Sequence, residues 1–450
     1  MYKKSNFNVI VETMEDGSNL VFNTMTCVLG VMDLKTQGIC EGIESLDTAK
    51  IDGEIKETVN TMLGTGFIVP DDCNEYDVLK AKDAIGRFSE FADLLTLTIA
   101  TSLNCNMACT YCYEGKTELN KIDMSEEVQA DVFEFVKRHF ESRSIKRLQI
   151  MWYGGEPLLN KGAIYNLSEK FKALCKKHQA HYMADIVTNG ILLDGETARK
   201  LKEECNVATA QITIDGTKEQ HDKKRVYLHG DSSFDIIVDN IGASREYLGI
   251  ILRMNVDKDN VDSVDALKKD FADRSWEGNP HFAPSRIRDD GNCNYDTSCV
   301  LTSEDFAKFE TKQIETSYAA DERNITKVYP ARKNYFCGAQ RLNSFVIDPE
   351  GRLYNCWNDV GIHDKSFGDV KKGYNLNRNY TKWLLSTPPP KCTDCQFLPI
   401  CQGGCPYHYV DGGEPQCLNW VSDYKSRLKL AYKDHVIKQD RREEVEGESA

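Results

Sequence analysis

Cys105-Asn106-Met107-Ala108-Cys109-Thr110-Tyr111-Cys112 is the stretch from which the rest of the chain is read. It follows an apolar run, Leu94-Leu95-Thr96-Leu97-Thr98-Ile99-Ala100, of the length and make-up of a buried strand. The cysteines therefore fall on the loop leaving that strand's C-terminal end. Three thiolates spaced C-x3-C-x2-C can hold three irons of a [4Fe–4S] cube and leave the fourth iron open to a small molecule. A structural zinc site wants a fourth ligand close by, and the next Cys or His is His139. The bland alternative is a surface cysteine cluster in a reducing cytosol.

The remaining bounds agree with a metal-bearing enzyme. A chain of 450 residues has room for two to four domains with cores of their own. Its net charge of −14 argues against a nucleic-acid partner, which would want a basic face. Met1 to Asn8 carries two lysines with no apolar segment behind them, and no apolar run is long enough to span a bilayer, so the expectation is a cytoplasmic protein with no membrane partner. Seventeen cysteines at clustered spacings then point to metal rather than disulfides.

In chain order, residues 1–83 read as a small domain. Phe7–Glu12 and Leu20–Asn23 flank Asp16-Gly17 as a hairpin, Ile55, Val59, Met62 and Leu63 recur at helical spacing before Gly64 and Gly66, and Phe67–Val69 is a short strand. From about 90 to 290, strands and helices alternate. The strand candidates are Leu94–Ala100, Leu148–Trp152, Asp185–Val187, Gln211–Ile214, Ile250–Val256 and His281–Ala283. Helical segments such as Ser125–Phe140, with Ser125 as N-cap, and Asp194–Glu204 lie between them. Six such units predict an α/β fold, a parallel sheet curled into a partial (β/α)6 barrel with its chemistry at the strands' C-terminal ends. Residues 300–330 read as a connecting helix.

Trp152-Tyr153-Gly154-Gly155-Glu156-Pro157 follows the second strand. Its glycines would let backbone approach a ligand, and Glu156 can accept from an ammonium. Together with the cysteine spacing and the aromatic Tyr111 before the last cysteine, this segment resembles the radical S-adenosylmethionine (SAM) enzymes. The resemblance implies a partial barrel, a cluster on Cys105, Cys109 and Cys112, and SAM chelating the open iron through its amino and carboxylate groups. It also implies reductive cleavage of SAM to a 5′-deoxyadenosyl radical that abstracts hydrogen from the substrate. The cofactor-contacting positions implied are Tyr111, Gly154, Gly155, Glu156, Pro157, Thr188 and Asn189, then Asp215 and Arg225 of an Asp-Gly…His-Asp…Arg pattern, and Arg253. For these later groups a cap or a surface ion pair is the alternative reading.

The cysteines return near the C-terminus. Cys337, the G-x4-C element Gly351 to Cys356, then Cys392, Cys395, Cys401, Cys405 and Cys417 match the order of the SPASM extension of peptide-modifying radical SAM enzymes. That resemblance implies a domain over 331–438 with two auxiliary Fe–S clusters, making three [4Fe–4S] clusters in all. The outer one would use Cys392, Cys395, Cys401 and Cys417, the inner one Cys337, Cys356 and Cys405. C-x2-C pairs are also zinc knuckles, which stays as the alternative ligand set. Residues 439–450, rich in Glu and Arg, read as a disordered extension.

By resemblance, residues 1–83 are a winged-helix-like recognition domain that binds a leader peptide by strand addition. The alternative is a structural cap. The expected enzyme cross-links a ribosomally made precursor peptide, through a Cys thioether, with flavodoxin or ferredoxin as reductant. Alternatives are an anaerobic sulfatase maturase forming formylglycine, a carbon–carbon cross-linking or epimerising maturase, and a non-catalytic Fe–S electron carrier. Sulfatase maturases carry an Asp base directly after the cysteine of G-x4-C; here that place is Trp357, with Asp359 two residues on. The inner cluster lacks a fourth cysteine in Gln340-Arg341-Leu342-Asn343, so its open iron is expected to take a substrate thiolate, or else Cys293 or Cys299. No catalytic residue is assigned beyond the weak candidates Cys293, Cys299 and Asp359.

Overall fold

The apolar run before the cysteines forms strand β1, Leu94–Ser102, of a ten-stranded sheet. The computed structural model describes all residues except 48–49, 52, 113–121, 231, 275, 277, 288–294, 320–328, 336 and 449–450, and the side chains at 319, 437 and 439–448. After β1 come β2 Arg147–Gly154, β3 His181–Thr188, β4 Val207–Thr213, β5 Gly249–Val256 and β6 His281–Arg286. They lie side by side in the order β6-β5-β4-β3-β2-β1, and every neighbouring pair is parallel. All six expected strands are present, each longer than its apolar kernel.

Alternation explains how the sheet is covered. Leu95, Leu97 and Ile99 of β1, Leu148, Ile150 and Trp152 of β2, and Ile250, Leu252 and Met254 of β5 are buried on one face. The intervening Thr96, Thr98, Gln149, Met151, Tyr153, Arg253 and Asn255 are only half-buried. Helices supply the cover on the apolar side, for example Glu126–Ser142, which buries Val132, Phe135, Val136 and Phe140. Ser125 caps that helix by accepting from Val128 N at 3.3 Å, and Asp194 caps Gly195–Glu203 by accepting from Thr197 N at 2.7 Å. The other face, with its polar residues, remains for a site.

A seventh parallel strand, β7 Ser344–Ile347, joins the sheet beside β1, and the antiparallel strands β8 Arg352–Tyr354, β9 Gly368–Asp369 and β10 Gly373–Tyr374 follow. β7 pairs the edge of β1 that would otherwise expose unsatisfied backbone groups, and β8 to β10 extend the sheet beyond it. The chain divides into two compact units: Glu90–Leu301 with Gly338–Leu385, and Met1–Ser89 with Thr302–Cys337 and Ser386–Ala450. The segment 331–438, expected as one domain, is thus shared between the two.

In the other unit, strands Asn8–Thr13, Asn19–Asn23 and Val28–Met32 form an antiparallel sheet in that order, followed by helices Leu34–Glu41, Gly53–Thr65 and Glu75–Phe88. Val11, Leu20 and Phe22 of the sheet pack with Ile400 and Leu428 from the C-terminal segment. The connecting helix is Ser303–Ala319. A final helix spans Tyr424–Glu448 and so takes in most of the stretch expected to be disordered. The Glu, Arg and Gln that marked this stretch as solvated are also good helix formers. Among the described residues, no helix is long and apolar enough to cross a membrane.

Candidate active site

The cysteine loop is tied down before and within its motif. Ser102 Oγ accepts from Asn104 N at 2.9 Å, and Met107–Cys109 pairs antiparallel with Arg225–Tyr227, placing Cys109 opposite Arg225. Cys112 N donates to Cys109 O at 3.2 Å, closing a turn over the last two cysteines. Asn189, after β3, donates from Nδ2 to Asn106 Oδ1 at 2.6 Å and to Cys105 Sγ at 3.9 Å. Burial pushes the Cys105 thiol up to about 12, with the charges of Glu156, Cys109 and Cys112 adding to it. Burial also raises Cys109, against the pull of Arg225. The partly buried thiols of Cys105 and Cys109 ionise at a cost that bound iron would offset, and Cys112 lies within electrostatic reach of Cys105.

The Gly-Gly-Glu-Pro segment turns out to be joinery for that loop. Gly154 has φ +131°, and a Cβ there would stand 2.1 Å from Ser102 O; one on Gly155 would stand 2.6 Å from Asn104 O. Gly155 N and Glu156 N donate to those same two carbonyls at 3.0 and 2.8 Å. Among the described residues, the backbone these glycines admit is that of the cysteine loop. Pro157, buried, starts a short 3-10 turn and accepts from Thr101 Oγ1 at 3.1 Å. Glu156 is fully buried. Its Oε1 accepts from Leu158 N and Thr188 Oγ1 at 2.9 and 2.8 Å, and its Oε2 from Asn189 N at 2.8 Å. Burial raises its pKa against the opposing pull of those bonds. A carboxylate accepts about four hydrogen bonds, so Oε2 retains room for one more donor.

At the ends of β4 and β5, Tyr111, Asp215, Arg225 and Asn255 come together. Tyr111 Oη donates to Asp215 Oδ2 and accepts from Arg225 Nη1 at 2.9 Å and Asn255 Nδ2 at 3.1 Å. Asp215 Oδ1 accepts from Asn255 N at 2.8 Å. Arg225 is buried, and its Nε has no hydrogen-bond partner among the described residues. Arg253 is one step removed, donating from Nε to Asn255 Oδ1 at 2.9 Å. His221 and Asp222 serve the frame. His221 Nδ1 accepts from Asp215 N at 3.2 Å, so its Nε2 carries the proton towards Ser233 Oγ at 2.9 Å. Asp222 accepts from Ser233 N and Phe234 N at the start of helix Phe234–Ser244.

The chain has counterparts among known proteins. A model of the radical SAM superfamily matches residues 99–271. A serine-type anaerobic sulfatase-maturating enzyme of Bacteroides thetaiotaomicron is 30% identical over 354 residues, covering 69% of this chain and 83% of that one. The chain belongs to the radical SAM superfamily. It is also 24% identical to a cysteine-type anaerobic sulfatase-maturating enzyme of Clostridium novyi, over 68% of this chain and 85% of the relative. A radical SAM cyclopropyl synthase of Paramaledivibacter caminithermalis is 26% identical, over 78% and 76%. Among solved structures, native anSMEcpe with bound AdoMet has the same fold, with a TM-score of 0.59 at 20% identity, over 77% of this chain and 99% of that one.

A radical SAM enzyme implies SAM and a [4Fe–4S] cluster, and the residues present fit both. The three thiols are the donor set such a cluster would take, Glu156 Oε2 can take one more donor, and Arg225 Nε is a buried cationic donor with no acceptor among the described residues. Among the described residues, no three Cys, His, Asp or Glu side chains converge on a position for one metal ion. The grouping of the cysteines is electrostatic proximity rather than single-ion geometry.

The C-terminal cysteines gather as well. Burial raises Cys392 and Cys401, and each also feels the charges of Cys395 and Cys417, so these four lie within reach of one another. Gln402, Gly403 and Gly404 all have positive φ, and a Cβ on Gly404 would stand 2.0 Å from Gln416 O, next to Cys417. Cys337 and Cys405 belong to one compact unit and Cys356 to the other. Asp359 is buried, with Lys365 Nζ 3.3 Å from its Oδ1. Cys299 sits beside Asp259, where burial and that carboxylate raise its thiol. Cys293 lies outside the described residues.

Two features of the site have no local sequence signal. One is the ribbon pairing Met107–Cys109 with Arg225–Tyr227, over a hundred residues apart. The other is the stack of Trp357 on Tyr153, with ring centroids 5.5 Å apart and planes at 16°.

Proposed function

We propose that this radical SAM enzyme is a peptide maturase that installs a cross-link, a Cys thioether, in a ribosomally made precursor peptide. When bound and reduced, the cluster supplies the electron that cleaves SAM to the 5′-deoxyadenosyl radical that takes a hydrogen atom from the peptide. Cys105, Cys109 and Cys112 hold that cluster, Glu156 Oε2 accepts from the SAM ammonium, and Arg225 holds the SAM carboxylate. Cys392, Cys395, Cys401 and Cys417 carry an outer auxiliary cluster, and Cys337, Cys356 and Cys405 an inner one. Flavodoxin or ferredoxin provides the reducing electron.

The observation that carries the SAM assignment is Arg225, a buried guanidinium with one nitrogen left over beside the cysteine loop. Peptide substrates are supported by the relatives: sulfatase-maturating enzymes act on proteins by name, and a neighbour of the same fold is described with a bound Cp18Cys peptide. For the leader, strand Val28–Met32 is the edge to which a peptide strand would add. The opposite edge strand is occupied by the final helix and by Gln396, whose Nε2 donates to Asn8 O at 2.9 Å.

The relatives also favour formylglycine formation as a second reading. Against it, Trp357 takes the position of the Asp base expected of that group and is stacked on Tyr153, while Asp359 lies beside Lys365. Mass spectrometry of a Cys-containing precursor peptide after anaerobic turnover separates the two. A thioether keeps sulfur and loses two hydrogens, whereas formylglycine made from Cys loses the sulfur. Recovery of the sulfur-free aldehyde would reject the cross-linking proposal.

A further inference from the structure

Tyr111 immediately precedes Cys112, and its hydroxyl is where three elements meet. It donates to Asp215 at the end of β4, and it accepts from Arg225 Nη1 at 2.9 Å and from Asn255 Nδ2 of β5 at 3.1 Å. A phenol offers one O–H and two lone pairs, so nothing polar is left on Tyr111 for a ligand. Asp215 is partly committed, with Oδ1 taking Asn255 N at 2.8 Å and Oδ2 taking the phenol, and each oxygen keeps one further lone pair. Tyr111 thus spends its whole hydroxyl on neighbouring protein groups, and Asp215 spends one bond of each carboxylate oxygen on them.

Arg225 is different. Nη1 rests on the Tyr111 oxygen, Nη2 lies 3.7 Å from Met107 Sδ, and Nε has no partner among the described residues. Thioether sulfur is a weak acceptor. The phenol is therefore the principal polar anchor of a buried cation. It also engages one lone pair of Asp215 Oδ2, a carboxylate oxygen that would otherwise be freer to pair with the guanidinium.

We propose that Tyr111 is a positioning residue: its hydroxyl holds Arg225, and keeps Asp215 engaged, so that the guanidinium stays available to the carboxylate of SAM. This rests on the reading that Arg225 binds that carboxylate. Removing the hydroxyl loosens the guanidinium and releases a carboxylate oxygen beside it. An intramolecular Arg225–Asp215 pair then competes with the ligand. The loss falls on the amino-acid part of SAM and spares the nucleoside.

The test uses anaerobically reconstituted full-length protein and equilibrium dialysis with two probes, SAM and 5′-methylthioadenosine, which shares the nucleoside but has no carboxylate. Tyr111→Phe should bind SAM about tenfold more weakly, the effect of one charge-assisted hydrogen bond, and methylthioadenosine within twofold of the parent. Its iron content should be unchanged. Equal weakening of both probes would make Tyr111 part of the nucleoside wall and overturn the proposal. So would unchanged SAM affinity, and so would loss of iron, which would place the hydroxyl in cluster assembly. Arg225→Met separates the proposal from its premise. If that variant fails to weaken SAM selectively, the carboxylate reading is wrong; if it does weaken SAM and Tyr111→Phe does not, only the positioning role is wrong.

Discussion

Gly155→Ala distinguishes two reasons for the paired glycines before Glu156. An alanine Cβ would lie 2.6 Å from Asn104 O and 3.1 Å from Leu103 O, both backbone atoms that no rotamer change can move aside. The cysteine loop must retreat by most of an ångström. That movement strains the bonds from Gly155 N to Ser102 O and from Glu156 N to Asn104 O. Two backbone hydrogen bonds at about 1 kcal/mol each, with about 1 kcal/mol or more of overpacking, amount to about 3 kcal/mol. For a unit of this size that lowers the melting temperature by about 5 °C. The assay is thermal unfolding by circular dichroism without metal or SAM, with Gly162→Ala as control. Gly162 lies in a helix with nothing within 4 Å of its would-be Cβ, so its replacement should be neutral or stabilising by up to about 1 kcal/mol. If the glycines serve only ligand approach, Gly155→Ala will melt with the parent and lose only SAM affinity. That result would refute the loop-joining argument.

Further tests address other parts of the molecule. His221 is fully buried, and burial holds its pKa well below the usual range, so the unfolded chain binds a proton that the native one does not. Its contribution is present above pH ~6.5 and lost as pH falls below that value, by up to about 1.4 kcal/mol per pH unit; urea midpoints of His221→Asn should therefore fall less steeply than the parent's from pH 7 to 5.5. The Tyr329 hydroxyl donates to Cys27 O at 2.6 Å, just before strand Val28–Met32. Tyr329→Phe should lower the urea midpoint by the equivalent of about 1 kcal/mol, and an unchanged midpoint would show that this bond contributes nothing. If a substrate thiolate completes the inner cluster, Cys293→Ser and Cys299→Ser will keep the parent's iron content and electron paramagnetic resonance spectrum; a lost or altered signal would make one of them a ligand.

The six parallel strands were legible because each carries an apolar kernel bounded by turn residues, and the helices between them because Ser125 and Asp194 sit where N-caps belong. What stayed hidden is long-range. Ser344–Ile347 is too short to declare itself a sheet strand, and its pairing with β1 is set by an edge more than two hundred residues earlier. Val28–Met32 has Gly30 at its centre, which weakens any strand signal. At the site, the motifs pointed to residues that gather, while their partners could be read only in three dimensions. Asp215, Tyr111 and the two glycines all lie at the cysteine loop, but they hold protein to protein. A motif fixes which residues gather, and their hydrogen-bond valence, countable only in three dimensions, decides which of them has an atom left for a ligand.

The central claim is that Cys105, Cys109 and Cys112 hold a cluster that cleaves SAM. Anaerobic protein reconstituted with iron and sulfide, reduced with dithionite and given SAM, should release 5′-deoxyadenosine. The triple replacement of those cysteines by Ala should lose about a third of about twelve irons and all of that product. A parent protein that carries full iron yet forms no 5′-deoxyadenosine, or a triple variant that still forms it, would contradict the account.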